Sequence, residues 1–167
     1  MKKRSETMKN RMMRLLSELL KDSKRSDREL AKVLGVSQPT ISRMRWRLVE
    51  EGMIKAFTVV PDFVEMGYEI MAISFFRSKR TKDTTERAMK WTKAKPNIIF
   101  AAGAQGMRKN AVIISLHESY TEFSKFFEEI MAEGHDVIEE FDTLFISLEG
   151  RIVKPFSLTY LGEQEET

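Results

Sequence analysis

Hydroxyl, guanidinium and indole side chains are concentrated on one side of a short segment that begins at Ser37. On a helical wheel of about 100° per residue, Ile41, Met44 and Leu48 fall together and define an apolar stripe. The opposite side can do recognition chemistry, because hydroxyls bond several bases, an arginine can fork onto guanine, and a helix N-terminus attracts phosphate. We therefore predict a surface for double-stranded DNA. Its members are Ser37, Gln38, Pro39, Thr40, Ser42, Arg43, Trp46, Arg47 and Lys55.

The predicted surface offers two kinds of contact. Ser42 and Arg43 are expected to reach base edges. Arg47 and Lys55 are better placed for phosphates, which fix position without reading sequence. Side-chain donors at the start of the helix would add phosphate contacts.

Two large side chains of the same helix need separate interpretation. Trp46 faces away from the apolar stripe, so it contacts a thymine methyl or a sugar, or it packs on a neighbouring segment or subunit, which is the commoner role. Arg45 lies near the edge of the stripe, and we expect it to extend along apolar surface rather than to read bases.

The elements that must position this surface are two helices joined by a tight turn. Ser26 and Glu29 have the spacing of a capping box, and apolar residues follow at helical intervals. Gly35 suits the turn, Ser37 begins a second helix, and Gly52 ends it. An amphipathic helix from Met8 to Leu20 should pack across the pair. The alternative is a helical hairpin whose basic face is only solvated.

The stretch LAKVLGVSQPTISRMRWRLVEEGMIK resembles the helix-turn-helix signature of the leucine-responsive regulator (Lrp)/AsnC family of prokaryotic transcription factors. The resemblance implies a winged helix-turn-helix, a strand-like hinge and a βαββαβ domain for dimerisation and effector binding. It also implies a dimer or larger oligomer that binds pseudo-palindromic DNA. Arg45 departs from the pattern, which has an aliphatic residue there, and Met44 is expected to take over that packing.

The rest of the chain predicts an α+β fold with the same order of elements. Capping boxes at Asp83/Glu86 and Ser119/Glu122 predict two helices, and alternating apolar residues predict the strands. One face of the antiparallel sheet would be covered by the helices and the other by a second copy, which predicts a homodimer. The predicted strands cover residues 53–60, 69–76, 97–102, 111–116 and 144–148, with an edge strand at 154–161; the predicted domains are the head at 1–57, a hinge at 58–68 and a βαββαβ body at 69–167.

The resemblance also suggests an effector site, because a glycine-containing turn between the second and third strands of the family's body domain takes part in binding amino acids. Here the corresponding loop would contribute Gly103, Gly106, Arg108 and Asn110. Asn110 stands where the family commonly has an acidic residue, so the partner for an amino group is missing. Arg108 and the neighbouring Lys109 either favour an anionic effector or are solvated loop charges.

Composition narrows the function further. Residues 1–57 hold 15 Lys/Arg against 7 Asp/Glu, and residues 58–167 hold 13 against 18, so a basic head is joined to an acidic body. The chain has no cysteine and no apolar run of membrane-spanning length, so we expect a cytoplasmic protein without metal or other cofactor.

No catalytic spacing is evident around the two histidines, and we expect no enzyme activity. Two alternatives to a regulator stay open. One is a decarboxylase of sirohaem-type tetrapyrroles, which some proteins of this architecture resemble; the other is an effector-binding scaffold whose head no longer binds DNA.

Overall fold

The computed structural model describes residues 2–162, and the side chains from Met8 onward. The chain forms two compact units: a helical unit, made of the residues up to Val60 together with the segment from Lys154, and a sheet unit of residues 61–153. The elements are α1 (Lys2–Lys21), α2 (Asp27–Leu34), α3 (Gln38–Glu50), β1 (Ile70–Ser78), α4 (Lys82–Lys93), β2 (Ile98–Gly106), β3 (Lys109–His117), α5 (Tyr120–Gly134), β4 (Ile138–Ser147) and α6 (Thr159–Gly162).

Three helices form the core of the helical unit, as predicted. Each supplies apolar side chains three or four positions apart, so each buries one continuous stripe. The fully or almost fully buried members are Met12, Leu15 and Leu19 of α1, Leu30, Ala31 and Leu34 of α2, and Ile41, Met44 and Leu48 of α3.

The predicted edge strand at residues 154–161 is wrong. The segment instead ends in the one-turn helix α6, which packs on α1. The buried Ser17 hydroxyl donates to the Gly162 carbonyl at 3.2 Å, and a Cβ at Gly162 would lie 2.7 Å from the Ser17 carbonyl oxygen. Close approach of two backbones thus favours glycine at this contact.

The strand predicted after α3 does not form within a single chain, and its pairing with a partner subunit stays a prediction. The Ile54 N–H donates to the Leu48 carbonyl at 2.9 Å and closes the helix, but residues 54–61 have no regular secondary structure. A strand needs a hydrogen-bonding neighbour, and among the described residues this segment has none. Its apolar side chains are exposed, Val59 by 72%.

The sheet unit has the predicted βαββαβ order. Its strands lie in the order β2-β3-β1-β4, and all neighbours are antiparallel. Ala72 and Phe76 of β1 pack against Phe123, Phe126 and Ile130 of α5, so the core lies between the sheet and that helix. The predicted α+β fold is confirmed.

Several local boundaries differ from the sequence prediction. The capping box of α4 is formed by Thr81 and Thr84, two residues before the predicted pair Asp83 and Glu86. The strands β2 and β3 run on to a tight hairpin turn at Met107 and Arg108, where φ is 48° and 58°. Most of the predicted glycine-containing loop is therefore strand. Ser119 does cap α5, accepting from the Glu122 N–H at 3.2 Å.

The predicted limits of the domains stay predictions, because the two compact units rest on contacts within one chain, whereas domains are units of folding and assembly. None of the helices between residues 2 and 162 combines the length and apolar character needed to span a bilayer.

His117 is fully buried at the end of β3, between the rings of Phe123 and Phe126. Its Nε2 lies 2.8 Å from the Ser115 hydroxyl, whereas Nδ1 has no hydrogen-bond partner among the described residues. Burial lowers the pKa of His117, and the Glu122 carboxylate, 3.9 Å away, opposes that shift only in part.

We expect the free energy of unfolding to fall as the pH drops through about 6.5, the ordinary histidine pKa, because the unfolded chain then binds a proton that the folded chain resists. A chain with His117→Gln should lose this part of the pH dependence. Urea unfolding followed by circular dichroism between pH 5 and 8 measures the slope, and His135→Gln, at an exposed histidine, is the matched control. An unchanged slope in His117→Gln would contradict the assignment.

Candidate nucleic-acid interface

The first helix of the pair, α2, begins with the predicted capping box. The Ser26 hydroxyl accepts from the Glu29 N–H at 3.3 Å, and the Glu29 carboxylate accepts from the Ser26 N–H at 2.8 Å. Hydrogen bonds from Ser26 lower the pKa of Glu29, so the carboxylate remains charged at the positive end of the helix dipole. This fixes where α2 starts.

The turn between the helices has the geometry that the sequence predicts. Gly35 has φ +66° in the left-handed region, where a side chain would be strained. The Val36 N–H donates back to the Ala31 carbonyl at 3.1 Å, and Ser37 is extended before α3 starts. Pro39 lies in the first turn, where its missing N–H leaves no bond unmade. The Ser37 hydroxyl bonds the Thr40 hydroxyl at 2.8 Å rather than the backbone.

Burial of Ile41, Met44 and Leu48 decides which side of α3 faces outward. Each residue of the predicted surface is exposed except Thr40, which is half-buried. Trp46 is 64% exposed, so the packing partner that one interpretation gave it is not found within this chain's described residues. The geometry therefore brings the predicted residues of α3 onto one accessible surface.

Arg45 holds α3 against the start of α2. Its Nε and Nη2 donate to the Asp27 carboxylate at 3.0 and 2.8 Å, and Nη2 also donates to the Arg25 carbonyl at 3.3 Å. The expectation that this side chain does not read bases agrees with these contacts, because Nε and Nη2 already donate to groups at the start of α2. Met44 takes over the apolar packing, as expected.

A second set of ion pairs ties α1 to the turn before α2. The Glu18 carboxylate accepts from Lys21 at 3.0 Å and from Arg25. Burial raises the pKa of Glu18, but the hydrogen bonds from Lys21 and Arg25 outweigh burial and hold that pKa below its ordinary value. Charged groups thus brace the frame behind α3 at ordinary pH.

The cations of the predicted DNA surface differ in whether an acidic side chain already pairs with them. Arg47 donates from Nε and Nη2 to the Glu51 carboxylate at 3.1 and 2.8 Å. Arg43 and Lys55 are exposed, and neither forms an ion pair with any residue the structure describes. Arg43 can therefore meet an anion or a base edge directly, whereas Arg47 must first leave Glu51.

Sequence reasoning missed both arginine partners. Arg47 and Glu51 are four residues apart on a helix, a spacing that predicts an ion pair. Asp27 and Arg45 are eighteen positions apart on different helices, and no local pattern identifies that contact. Asp27 holds Arg45 in the contact between α2 and α3, so Arg45 has a structural role. Glu51 pairs with Arg47 on the exposed surface, so Arg47 can still turn to a ligand.

The four residues predicted to bind an effector lie on the β2–β3 hairpin and its strands. Arg108 is in the turn, and Gly106 just before it. The Asn110 amide is occupied: it donates to the Ser78 carbonyl at 2.7 Å and accepts from the Ser78 N–H at 3.1 Å. Gly103 lies beside the Arg80 guanidinium. Their role in binding an effector stays a prediction.

Sequence comparisons match only part of the chain, whereas structural comparisons match most of it. A family model for winged helix-turn-helix DNA-binding domains matches residues 8–55. A relative described as an uncharacterized HTH-type transcriptional regulator of Pyrococcus horikoshii is 39% identical over 69 residues, which are 41% of this chain and 47% of that protein. The chain thus spans about half the length of the curated relatives it matches.

Solved structures match over most of the chain. An AsnC family transcriptional regulator from Agrobacterium tumefaciens has a TM-score of 0.74 at 16% identity and covers 90% of this chain and 97% of its own. A transcriptional regulator from Neisseria meningitidis, solved as a complex with L-Met, has a TM-score of 0.74 at 14% identity over 90% and 97% of the two chains. At these identities the likeness establishes the fold.

The Arg45–Asp27 contact should contribute to stability, because removing the Asp27 carboxylate would leave the half-buried Arg45 guanidinium unpaired. We expect Asp27→Ala to lower the free energy of unfolding by about 1–3 kcal/mol, and Asp27→Asn, which keeps an acceptor, to cost less. Urea unfolding followed by circular dichroism measures both.

The matched control is Glu51→Ala, which removes the carboxylate partner of an exposed arginine on the same helix and should cost less than about 0.5 kcal/mol. Equal losses for Asp27→Ala and Glu51→Ala would show that Arg45 does not brace α3.

Proposed function

The chain has the fold of the Lrp/AsnC regulators and a winged helix-turn-helix match at residues 8–55, and we propose that it is a sequence-specific DNA-binding transcriptional regulator of this type. One observation carries the proposal: the outward side of α3 is accessible and cationic, and its buried side is held by α1 and α2. A rigid helix that offers such a side fits the major groove of a duplex. A cytoplasmic location follows from that role.

Base reading is assigned to Ser42 and Arg43. Both are exposed near the start of α3, and the Arg43 donors are not engaged by an acidic partner in the described chain. A guanidinium that needs no rearrangement can donate two bonds to one guanine. Trp46, one turn further along, can cover a thymine methyl or a sugar from the same side.

Phosphate binding is assigned to Arg47, Lys55 and the N-terminus of α3. Arg47 exchanges Glu51 for a phosphate on binding, so part of its gain offsets the loss of an existing ion pair. Lys55 follows the end of α3 in the segment without regular structure. Ser37, Gln38 and Thr40 supply side-chain donors where the helix dipole favours an anion.

The sheet supports a homodimer. The middle of the sheet face turned away from α5 is apolar: Ile73 lies opposite Ile114 on one side and Leu144 on the other, and Leu144 is 55% exposed. A second copy of the same face would remove this surface from water. Two copies of α3 about 34 Å apart then match half-sites one turn apart on a pseudo-palindrome.

The exposed segment after α3 supports the same assembly. Phe57, Val59 and Val60 are apolar and exposed, and the segment has no strand to pair with in its own chain. A partner subunit's equivalent segment would supply the missing hydrogen bonds. We assign this segment to the hinge between the DNA-binding and dimerisation parts.

Regulation by a small molecule belongs to the proposal as well. The neighbour from Neisseria meningitidis was solved as a complex with L-Met, which supports a small-molecule ligand for a chain of this fold. The hairpin residues Gly103, Gly106, Arg108 and Asn110 remain our assignment for such a site. The relative from Pyrococcus horikoshii is described as a transcriptional regulator, which favours regulation over catalysis. No contact among the described residues favours a tetrapyrrole decarboxylase.

Replacing Arg43 and Arg47 separately tests the division of work on α3. We expect Arg43→Ala to reduce the preference for a duplex selected in vitro over a scrambled duplex by about tenfold or more, because one bidentate base contact is lost. Arg47→Ala should weaken both duplexes by a similar factor and reduce the slope of log affinity against log salt by about one. Fluorescence anisotropy at several salt concentrations measures all of these.

Two further variants calibrate the measurement. Glu51→Gln frees Arg47 and removes a negative charge, so it should strengthen both duplexes, whereas Lys125→Ala, at an exposed position of α5, should change neither. Equal losses on both duplexes for Arg43→Ala would overturn its base-reading role. A wild-type chain without affinity for any duplex at low salt would overturn the function.

The proposed dimer surface is tested by Ile73→Asp, which places a charge at the centre of the open sheet face. We expect the wild-type chain to sediment as a dimer or larger at micromolar concentration and Ile73→Asp as a monomer with an unchanged circular dichroism spectrum. Val33→Asp, at an exposed apolar position of α2, is the matched control and should not change the mass. A dimeric Ile73→Asp chain would show that the copies meet elsewhere.

A further inference from the structure

A cavity of about 580 Å³ lies in the sheet unit between α4 and the sheet. Its origin is visible in the side chains that face each other. The helix presents Thr84 and Ala88, and the sheet below presents Ala101, Gly103 and Ala111. Small side chains on both sides leave the space between helix and sheet unfilled, and α4 buries none of its residues.

The space is open to solvent on one side, since Ala88, Ala101 and Gly103 in its walls are exposed. Its volume lies in the range of about 300–1,000 Å³ that is common for small-molecule sites. The other helix of the layer, α5, fills its place with Phe123, Phe126 and Ile130. The gap is therefore a property of α4 and of β2, not of the layer as a whole.

The depth of the cavity is apolar. Phe76, Ile113, Ile130 and Ile138 come from three strands and α5, and the indole of Trp91 forms part of the α4 wall. Trp91 packs on Phe126 with ring centroids 5.7 Å apart, so its position is set from behind. This part of the cavity suits a hydrocarbon or aromatic body.

The rim of the cavity is mainly cationic. Lys79, Arg80, Arg87 and Lys93 line it, against the single carboxylate of Glu133. Arg87 is largely compensated, because it donates to both Asp136 oxygens at 2.6 and 2.9 Å. Arg80 donates to the Asn110 carbonyl. No acidic partner of Lys79, Arg80 or Lys93 is found among the described residues, which leaves a positive surplus at the opening.

We propose that this cavity binds a small amphipathic monocarboxylate, with its apolar body against Trp91 and its carboxylate at the rim near Lys79 and Arg80, which precede α4. An uncharged molecule of the same body would leave the cations without a partner. An amino acid would bring an ammonium group for which the lining offers only Glu133. The charge pattern and the apolar depth together therefore favour an anion with an apolar tail.

The cavity is distinct from the hairpin site assigned above. Gly103 lines it, but Gly106, Arg108 and Asn110 do not. The inference does not depend on DNA binding, since it concerns the sheet unit alone. A chain that binds no duplex can still bind the carboxylate, and the reverse also holds, so the two proposals fail separately.

Decanoate is the probe, used below its micellar concentration on the full-length chain. The chain has two tryptophans, so Trp46→Phe leaves Trp91 as the single indole reporter in the wall of the cavity. We expect saturable change in its emission, matched by heat in isothermal titration of the wild-type chain. Decanol and L-leucine should each bind at least about tenfold more weakly, because one lacks the charge and the other adds an ammonium.

Variants from both walls locate the site. Ala101→Leu and Ala88→Leu fill the cavity from the sheet and from the helix, and each should weaken decanoate at least about tenfold while the circular dichroism spectrum is unchanged. Two variants on opposite walls keep the test valid if one of them fails to fold. Lys79→Gln should weaken decanoate by about tenfold, and Lys90→Gln, on α4 but outside the lining, should not.

Three results would overturn the inference. The first is unchanged Trp91 emission with no heat on addition of decanoate. The second is binding of decanol or L-leucine as tight as that of decanoate, which would remove the anion from the assignment. The third is full affinity in both cavity-filling variants, which would place the probe elsewhere on the chain.

Discussion

The orientation of α3 depends on one constraint: the helix must bury Ile41, Met44 and Leu48 against α1 and α2. Because residues three and four apart share a face, burying these three commits the residues between them to the outside. Arg45 lies at the edge of the buried stripe, where an unpaired charge would be costly. Its hydrogen bonds to Asp27 compensate that charge and link α3 to α2.

The same logic with a period of two governs the sheet. Alternate residues of β1 face α5 or the opposite side of the sheet. Ala72 and Phe76 are therefore buried within one chain, whereas Ile73 on the other side is only partly buried. The two helices on the other face cover the sheet to different extents. The aromatic-rich α5 fills its half, and α4, with small side chains over Ala101 and Gly103, leaves a cavity. The proposed dimer surface and the proposed ligand site are thus two different parts of one sheet that its own helices leave uncovered.

Sequence reasoning succeeded where the determinants are local. The Ser26–Glu29 box, the left-handed Gly35 and the stripe of α3 depend on residues within one or two turns, and each is present as predicted. The strand predicted at residues 154–161 is wrong, and the one at 53–60 does not form within a single chain, because strand formation depends on a distant partner that propensity does not supply. The Arg45–Asp27 brace and the cavity under α4 were inaccessible for the same reason: both arise between segments far apart in the sequence.

Pairing of charges decides which cations are available to anions. On the acidic half of the chain, the hydrogen bonds that Lys109 donates to Asp142 and Glu140 raise the pKa of Lys109, and those that Arg87 donates to Asp136 raise the pKa of Arg87, so these charges are already compensated. Arg43 has no such partner in the described residues, and Arg47 has one in Glu51 that is exposed and easily exchanged. A paired surface cation gains little from a second anion, because its new contact replaces an old one. In the proposed function, the net positive charge of the head favours nucleic acid, and Arg43, the cation of α3 without an acidic partner in the described residues, is the one placed for a specific contact.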